Sequence, residues 1–199
     1  MRWISIILVC GSLIAGQDDL SERIRAAQSS GDYKQAASLY LELIASGTDT
    51  PEVRSNCGIM LHLAGKNREA LDQFRIALKA NPRLAGANLF AGVSEADLGQ
   101  PQEALQYLKR ARELDQSNPA PDLALGKVYA ALRDFRNANQ AYAEAAKLGP
   151  GIAEAWYGLG ITYRSLAEER LRRAAEGESI NTVETHRLLD ESLRALQRA

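Results

Sequence analysis

The sequence has few of the residues that build metal sites and redox sites. Its 199 residues include 2 cysteines and 2 histidines, and only 3 phenylalanines and 2 tryptophans. His62 and His186 lie far apart in the sequence, so no set of His and Cys ligands has zinc-binding spacing. We therefore predict that the protein holds no metal ion and no cofactor.

An excess of charge of one sign is also absent. The chain has 24 Lys and Arg residues against 25 Asp and Glu residues, which gives a net charge of -1. Nucleic-acid binders usually carry an excess of basic residues, because neutralising phosphates supplies much of their affinity. The balanced charge indicates a protein that does not bind nucleic acid.

Sequence motifs for catalysis are missing as well. There is no nucleophile elbow, and Gly158-Leu159-Gly160 lacks the third glycine of a dinucleotide-binding loop and does not follow a strand. Cys57 has no evident base partner and lies at an inward position, where a cysteine acts as a small apolar residue. We predict that the chain is not an enzyme.

Only the N-terminus carries a long hydrophobic run, Trp3–Ile14, which the small residues Ala15 and Gly16 follow. It is shorter than the roughly 20 residues that span a bilayer. The pattern indicates a secretory signal peptide over residues 1–16, with an uncleaved anchor or lipid attachment at Cys10 as alternatives. We expect an exported protein, in the periplasm or cell envelope if the source is bacterial.

The rest of the chain is periodic. Gly58, Gly92, Gly126 and Gly160 stand 34 residues apart, and a second series of small residues keeps the same interval. That second series is Ala36, Ala70, Ala104 and Ala138. A 34-residue period is typical of a helix-turn-helix unit, and stacked units bury their apolar faces against their neighbours.

Within each unit, turn residues separate two predicted helices. Gly31, Gly65 and Gly99 are expected to take the left-handed conformation that closes a helix, and Arg133 stands at this position in the fourth unit. Proline residues follow the second helices, and no strand pattern occurs. The sequence therefore predicts an all-α protein.

Residues 155–163, with the sequence AWYGLGITY, resemble the tetratricopeptide repeat pattern of Trp, Leu-Gly and Tyr. The resemblance implies a right-handed α-solenoid of antiparallel helix hairpins. Four repeats would occupy residues 17–152, with an N-terminal cap in the first unit. Residues 153–199 would form the extended first helix of a fifth repeat and a C-terminal capping helix.

Two departures from the pattern carry specific expectations. Glu95 replaces an apolar residue, and we expect a locally rotated or solvated helix there, with a carboxylate at a half-buried position as the alternative. The last predicted helix, Val183–Arg198, resembles the first helix of a sixth unit that lacks its second helix and seals the stack. A contact between two copies or a shortened protein are the alternatives for this helix.

The resemblance also implies which residues contact a partner. First helices of the family line a concave groove, and its inward places suggest binding of a protein or peptide segment, with Phe90 and Tyr157 as anchors. The candidate groove residues are Asn56, Ile59, His62, Leu89, Phe90, Val93, Leu123, Lys127, Tyr157, Ile161 and Arg164.

Other readings of these residues remain open. Of the family's motif for chaperone tails, only Asn56 is present, so we expect no carboxylate-clamp partner. The groove side chains could instead pack against adjacent helices. The chain could also be a homo-oligomeric structural module that associates through its C-terminal helix, or the interaction part of a larger enzyme.

Overall fold

The computed structural model describes residues 19–199, and all of their regular secondary structure is α-helical. The proposed signal peptide lies outside the described residues. The helices are α1 (residues 19–29), α2 (Tyr33–Ala45), α3 (Pro51–Leu63), α4 (Asn67–Ala80), α5 (Ala85–Asp97), α6 (Pro101–Leu114), α7 (Pro119–Ala131), α8 (Phe135–Leu148), α9 (Ala153–Ala175) and α10 (Thr182–Leu196).

The described residues form two compact units, one that ends at Ser94 and one over Glu95–Ala199, with the boundary inside α5. We call them unit 1 and unit 2. In unit 1, α3 packs against α2 and α4; in unit 2, α7 packs against α6 and α8, and α9 packs against α8 and α10. From α1 to α9, odd-numbered helices are the first helices of the repeats and even-numbered helices are the second, as the 34-residue pattern predicts.

Local sequence signals set the ends of these helices. Thr50 caps α3 by accepting a hydrogen bond from the Val53 amide at 3.2 Å, and Pro51 then occupies the first turn. The turns after α1, α3 and α5 contain Gly31, Gly65 and Gly99, with φ values of 74°, 77° and 77°. The predicted left-handed turn conformation is therefore confirmed.

Arg133 takes the same conformation in the turn between α7 and α8, with a φ of 59°. It is the single non-glycine residue with positive φ between residues 19 and 199. Its guanidinium lies 5.8 Å from the centre of the Phe135 ring. The turn geometry of the repeat is thus kept even where the sequence does not supply glycine.

Glycines on the first helices allow a large side chain of the second helix to reach the backbone. A Cβ atom built on Gly58 would lie 2.6 Å from Cε1 of Phe74, and one on Gly126 would lie 2.7 Å from Cδ1 of Tyr142. Phe74 is fully buried and Tyr142 is 7 % exposed. These glycines are packing residues, as the periodicity indicated.

The fifth hairpin corrects our expectation for the C-terminal helix. A Cβ atom on Gly160 would lie 2.7 Å from Cγ of Leu196, and the Ser192 hydroxyl donates a hydrogen bond to the Gly160 carbonyl at 2.9 Å. Leu196 therefore stands where Phe74 stands against Gly58, so α10 is the second helix of the fifth hairpin. The interpretation as the first helix of a sixth unit is wrong.

Because α9 is longer than the other first helices and a segment separates it from α10, α10 begins later in the sequence than the 34-residue period would place it. The Arg170 guanidinium lies 3.0 Å from the Glu184 carboxylate and so joins the last turns of α9 to the start of α10. Arg173 pairs with Glu169 one turn earlier on α9, as their spacing predicts. These pairs are partly exposed and contribute little to stability individually.

Glu95 also differs from expectation. Its side chain lies on α5 and the residue is only 5 % exposed, so the prediction of a solvated helix at this point is wrong. The helix continues past it to Asp97, and the Glu95 carbonyl accepts from the Gln100 amide at 2.9 Å in the turn that closes α5. The carboxylate is accommodated inside the fold without breaking the helix.

The glycine contacts predict opposite effects for two Gly→Ala substitutions. Gly58→Ala should lower the free energy of unfolding by about 1–3 kcal/mol, because its methyl group would overlap the Phe74 ring. Gly86→Ala should raise it by up to about 1 kcal/mol, because alanine favours the helix and its Cβ meets no atom within 4 Å. Urea unfolding of both variants measures the signs, and a loss of stability in Gly86→Ala would contradict this account.

Candidate partner-binding surfaces

The predicted groove residues of unit 1 lie on α3 and α5 and form what we call the unit 1 surface. Asn56 is exposed, and the other five residues are half-buried. Those five are Ile59, His62, Leu89, Phe90 and Val93. Apolar side chains on this surface are therefore partly shielded by their neighbours and partly open to solvent.

His62 is held in place by three neighbours. Its ring meets the Phe90 ring edge to face, with 5.4 Å between the ring centres. Its Nδ1 atom lies 2.9 Å from Oδ1 of Asn67 and 3.0 Å from Oγ of Ser94. Because the Asn67 oxygen can only accept, Nδ1 carries the proton in the neutral form of the ring. Nε2 is then a hydrogen-bond acceptor.

The Tyr40 hydroxyl also receives polar contacts from two side chains. Gln28 Nε2 lies 3.5 Å from this hydroxyl, and Asn56 hydrogen-bonds to it as well. Burial raises the pKa of Tyr40, and these two hydrogen bonds oppose that rise. Asn56 is therefore exposed and also hydrogen-bonded to Tyr40 on α2. Its neighbour Ser55 is only 6 % exposed.

In unit 2, the predicted residues lie on α7 and α9 and form the unit 2 surface. Tyr157 is 57 % exposed, and Ile161 beside it is half-buried. The Lys127 ammonium lies 2.7 Å from the Glu154 carboxylate, and Arg164 lies 3.5 Å from Glu168. The surface therefore combines an exposed aromatic side chain with solvated ion pairs.

A depression of about 210 Å³ lies next to Tyr157. Tyr142 contributes to its lining, and a Cβ atom on Gly158 would lie 2.5 Å from Cε1 of Tyr142. Burial raises the pKa of Tyr142 to about 12, with a smaller contribution from the Glu154 charge. The hydroxyl is therefore a neutral donor at physiological pH. The lining residues are Ala130, Tyr142, Glu154, Tyr157, Gly158, Ile161 and Thr162.

Leu123 has a packing role in unit 2. It is half-buried and contacts two groups of core residues, one that includes Tyr142 and Leu159 and another that includes Ala145 and Ala155. This contact is the adjacent-helix packing that the sequence left open for the groove residues. A contribution of Leu123 to binding stays a prediction.

Between residues 19 and 199 no group of three or more His, Cys, Asp or Glu side chains could hold a metal ion. No helix in the same range is long and apolar enough to cross a membrane. Cys57 is fully buried, and its Sγ atom lies 3.9 Å from the Ala37 carbonyl oxygen. Burial raises the pKa of its thiol to about 11, against a small lowering by Arg54.

Cys57 should therefore resist thiol reagents in the folded protein. At pH 8 about a thousandth of a thiol with a pKa of about 11 is ionised, and burial also blocks access. We expect negligible labelling of Cys57 by iodoacetamide in the native state and rapid labelling in urea. Peptide mass spectrometry assigns the adduct; complete native labelling within minutes would rule out the buried thiol.

Asp122 on α7 is a buried carboxylate that the sequence pattern did not reveal. The residue is 3 % exposed, and its Oδ1 atom lies 3.4 Å from the Arg112 guanidinium. Burial raises the pKa of Asp122, while the charge and hydrogen bond of Arg112 oppose the rise. The spacing of the repeat does not indicate this pair, because Arg112 lies on the preceding helix, α6.

The raised pKa predicts how stability changes with pH. Asp122 contributes stability that is complete below the ordinary pKa of 3.8 and is lost as pH rises through the higher folded-state value. Asp122→Asn removes this titration, so its free energy of unfolding should improve relative to the original protein as pH rises from about 3 to about 7. Urea unfolding at several pH values tests this, and Asp190→Asn, at an exposed position of α10, is the control. A difference in the free energy of unfolding between Asp122→Asn and the original protein that does not change with pH would contradict the prediction.

Comparison with known proteins identifies the repeats. The model of the tetratricopeptide repeat family matches residues 64–119 and 123–177, which is more than half of the chain. The chain belongs to the tetratricopeptide repeat family. The resemblance read from the sequence is thus confirmed, as is the all-α fold of helix hairpins.

One curated relative is a probable UDP-N-acetylglucosamine–peptide N-acetylglucosaminyltransferase, SPINDLY, from Hordeum vulgare. It is 28 % identical over 148 residues, which cover 71 % of this chain but 16 % of that enzyme. The chain therefore spans about a sixth of the length of this relative.

Two solved structures illustrate the likeness of fold. MamA from Desulfovibrio magneticus RS-1 is 18 % identical, with 91 % of this chain and 94 % of that chain covered and a TM-score of 0.70. YrrB, a TPR protein described as having an unusual peptide-binding site, is 22 % identical, with 87 % and 83 % covered and a TM-score of 0.63. At these identities the likeness extends to the fold.

Proposed function

We propose that the protein is a non-enzymatic scaffold that binds a peptide or helical segment of a partner protein through its first helices. The observation that carries this proposal is the 57 % exposure of Tyr157 beside a depression of about 210 Å³. A partly open aromatic side chain next to a concavity is the arrangement that anchors partner side chains in protein interfaces. The description of YrrB as a peptide-binding TPR protein supports the same class of partner.

The unit 1 surface supports the proposal in a different way. Its apolar residues are half-buried, and His62 keeps a fixed orientation through Asn67, Ser94 and Phe90. A side chain that is already ordered loses little rotational freedom on binding, so a rigid surface binds with a smaller entropic cost. In its neutral form, the His62 ring offers Nε2 as an acceptor to a donor on the partner.

Chemistry and charge limit the partner. The Lys127–Glu154 pair places both signs of charge next to Tyr157, so the unit 2 surface does not select a strongly acidic or strongly basic segment. The absence of the family's full carboxylate-clamp motif argues against chaperone tails. We therefore propose a segment with an apolar anchor and few charges.

Tyr157 provides the sharpest test, because an exposed side chain can be changed without loss of core packing. A photo-cross-linking amino acid at position 157 should capture the partner in the source cells, and the same group at position 148 should not. Leu148 on α8 is 38 % exposed and serves as the matched position on a second helix.

The purified partner then tests the contribution of the Tyr157 side chain. We expect Tyr157→Ala to weaken binding at least about 10-fold in calorimetry, since anchor residues of interfaces contribute strongly when truncated. Leu148→Ala should bind as the original protein does, and both variants should keep their circular dichroism spectrum and melting temperature. An unchanged affinity of Tyr157→Ala for the partner would contradict the proposed role of this surface.

The relation to SPINDLY favours one alternative, in which this chain is the interaction part of a larger enzyme. We also propose that the protein is exported, on the basis of the apolar run Trp3–Ile14 in the sequence. The mass and compartment of the native protein in fractionated source cells separate these possibilities. A mature product of this chain alone in the envelope fraction supports the exported scaffold.

A further inference from the structure

Tyrosine stands at the same position of the second helix in the first and fourth repeats. Tyr40 on α2 and Tyr142 on α8 are separated by three 34-residue periods. Both residues are buried, with exposures of 8 % and 7 %. The surroundings of one hydroxyl group can therefore be compared at two equivalent places in the fold.

In the first repeat, two amide side chains contact the tyrosine hydroxyl. Gln28 Nε2 on α1 lies 3.5 Å from the Tyr40 hydroxyl, and Asn56 on α3 also hydrogen-bonds to it. Both hydrogen bonds lower the pKa of Tyr40 against the rise that burial causes, as donors to the phenol oxygen do. The first repeat thus gives its tyrosine amide partners from the helices on both sides.

In the fourth repeat, both of these amides are missing. The positions of Gln28 and Asn56 are occupied by Ala130 on α7 and Gly158 on α9. Within the described part of the chain no hydrogen bond reaches the Tyr142 hydroxyl, although every fully buried side-chain oxygen or nitrogen atom there has a partner. The oxygen of this hydroxyl therefore keeps contact with solvent.

The two substituted positions border the depression beside Tyr157. Ala130, Gly158 and Tyr142 all line this space of about 210 Å³. The Cζ atom of Tyr142, which bears the hydroxyl, lies 2.5 Å from the place that a Cβ atom on Gly158 would occupy. Glu154 also lines the depression, and its charge contributes to the raised pKa of Tyr142. The hydroxyl thus lies close to two residues of the lining.

We propose that this depression binds the carboxamide of an asparagine or glutamine side chain of the partner, and that the carboxamide hydrogen-bonds to the Tyr142 hydroxyl. The partner then supplies the contact that Gln28 and Asn56 supply to Tyr40. A phenol that keeps its proton can accept from the amide nitrogen or donate to the amide oxygen. This inference rests on the proposed function, because it names a side chain that the surface beside Tyr157 receives.

The other polar groups of the depression favour a neutral side chain over a charged one. The Glu154 carboxylate lies 2.7 Å from the Lys127 ammonium. The Thr162 hydroxyl donates to the Leu159 carbonyl at 2.9 Å and accepts from the Asn139 amide at 3.0 Å. A cationic side chain has to compete with Lys127, and an anionic one meets the charge of Glu154. A neutral amide avoids both costs.

Peptides of random sequence displayed on phage provide the probe. We expect selection on the protein to enrich peptides that share asparagine or glutamine at one position and that do not bind Tyr157→Ala. Replacement of this amide residue by one of similar size, leucine for asparagine or methionine for glutamine, should weaken binding about fivefold, since one neutral hydrogen bond is lost. Fluorescence anisotropy of the synthetic peptides measures the affinities.

Tyr142→Phe tests whether the hydroxyl is the group that the amide contacts. Phe74 is fully buried at the equivalent position of the second repeat, so the variant should keep its fold. It should bind the selected peptides about fivefold more weakly, and this loss should not add to that of the peptide substitution, because both changes remove the same hydrogen bond. Tyr107→Phe on α6 removes a hydroxyl outside the depression and should bind as the original protein does.

The results separate this site from the proposed function. The amide site is overturned, and the scaffold is not, by Tyr157-dependent peptides that share an apolar or charged residue instead of an amide. The same conclusion follows if Tyr142→Phe binds amide-containing peptides with unchanged affinity, or if the two losses add in full. A selection that yields no Tyr157-dependent peptide would overturn both proposals.

Discussion

The close contact between a glycine of the first helix and a large side chain of the second helix is the constraint on which three of the described hairpins depend. Gly58 admits the ring of Phe74, Gly126 admits Tyr142, and Gly160 admits Leu196. Glycine has a cost of up to about 1 kcal/mol relative to alanine inside a helix. The fold accepts this cost because burial of an aromatic or leucine side chain contributes more, about 1.5–3 kcal/mol.

The unit 2 surface is a consequence of the same packing. The ring of Tyr142 also lies against Gly158 of the next first helix, so one side chain joins α7, α8 and α9. Tyr142 carries a hydroxyl, is 7 % exposed and lines the depression beside Tyr157. Phe74 at the equivalent place in unit 1 has no such group and is completely buried. The side chain that packs against the glycine of the first helix is therefore part of the candidate surface in unit 2 and is buried in unit 1.

Periodicity predicted the helices and turns well because the repeat fixes the environment of each position. Gly31, Gly65 and Gly99 have the expected positive φ, and even Arg133 adopts it, since the two helices on either side determine the turn. The C-terminal helix could not be assigned by the same means. The longer α9 shifts Ser192 and Leu196 out of the 34-residue register, although their i, i+4 spacing matches that of Ala70 and Phe74.

The repeat pattern does not predict side-chain contacts between residues that are distant in sequence. Nothing in the repeat predicts that His62 meets Ser94, that Asp122 meets Arg112, or that Glu95 is buried. Polar residues at such positions interrupt the small and apolar pattern, and their placement depends on which partner is within reach. The contrast between Leu71 and Leu193 has the same origin. Leucine side chains directly after the small residue of the second helix are 3 % exposed at Leu71, half-buried at Leu105 and 61 % exposed at Leu193, because exposure depends on the neighbouring helix and not on the residue. A repeat sequence therefore specifies which residues can form an interface, while the stacking of its helices decides which of them are left for a partner.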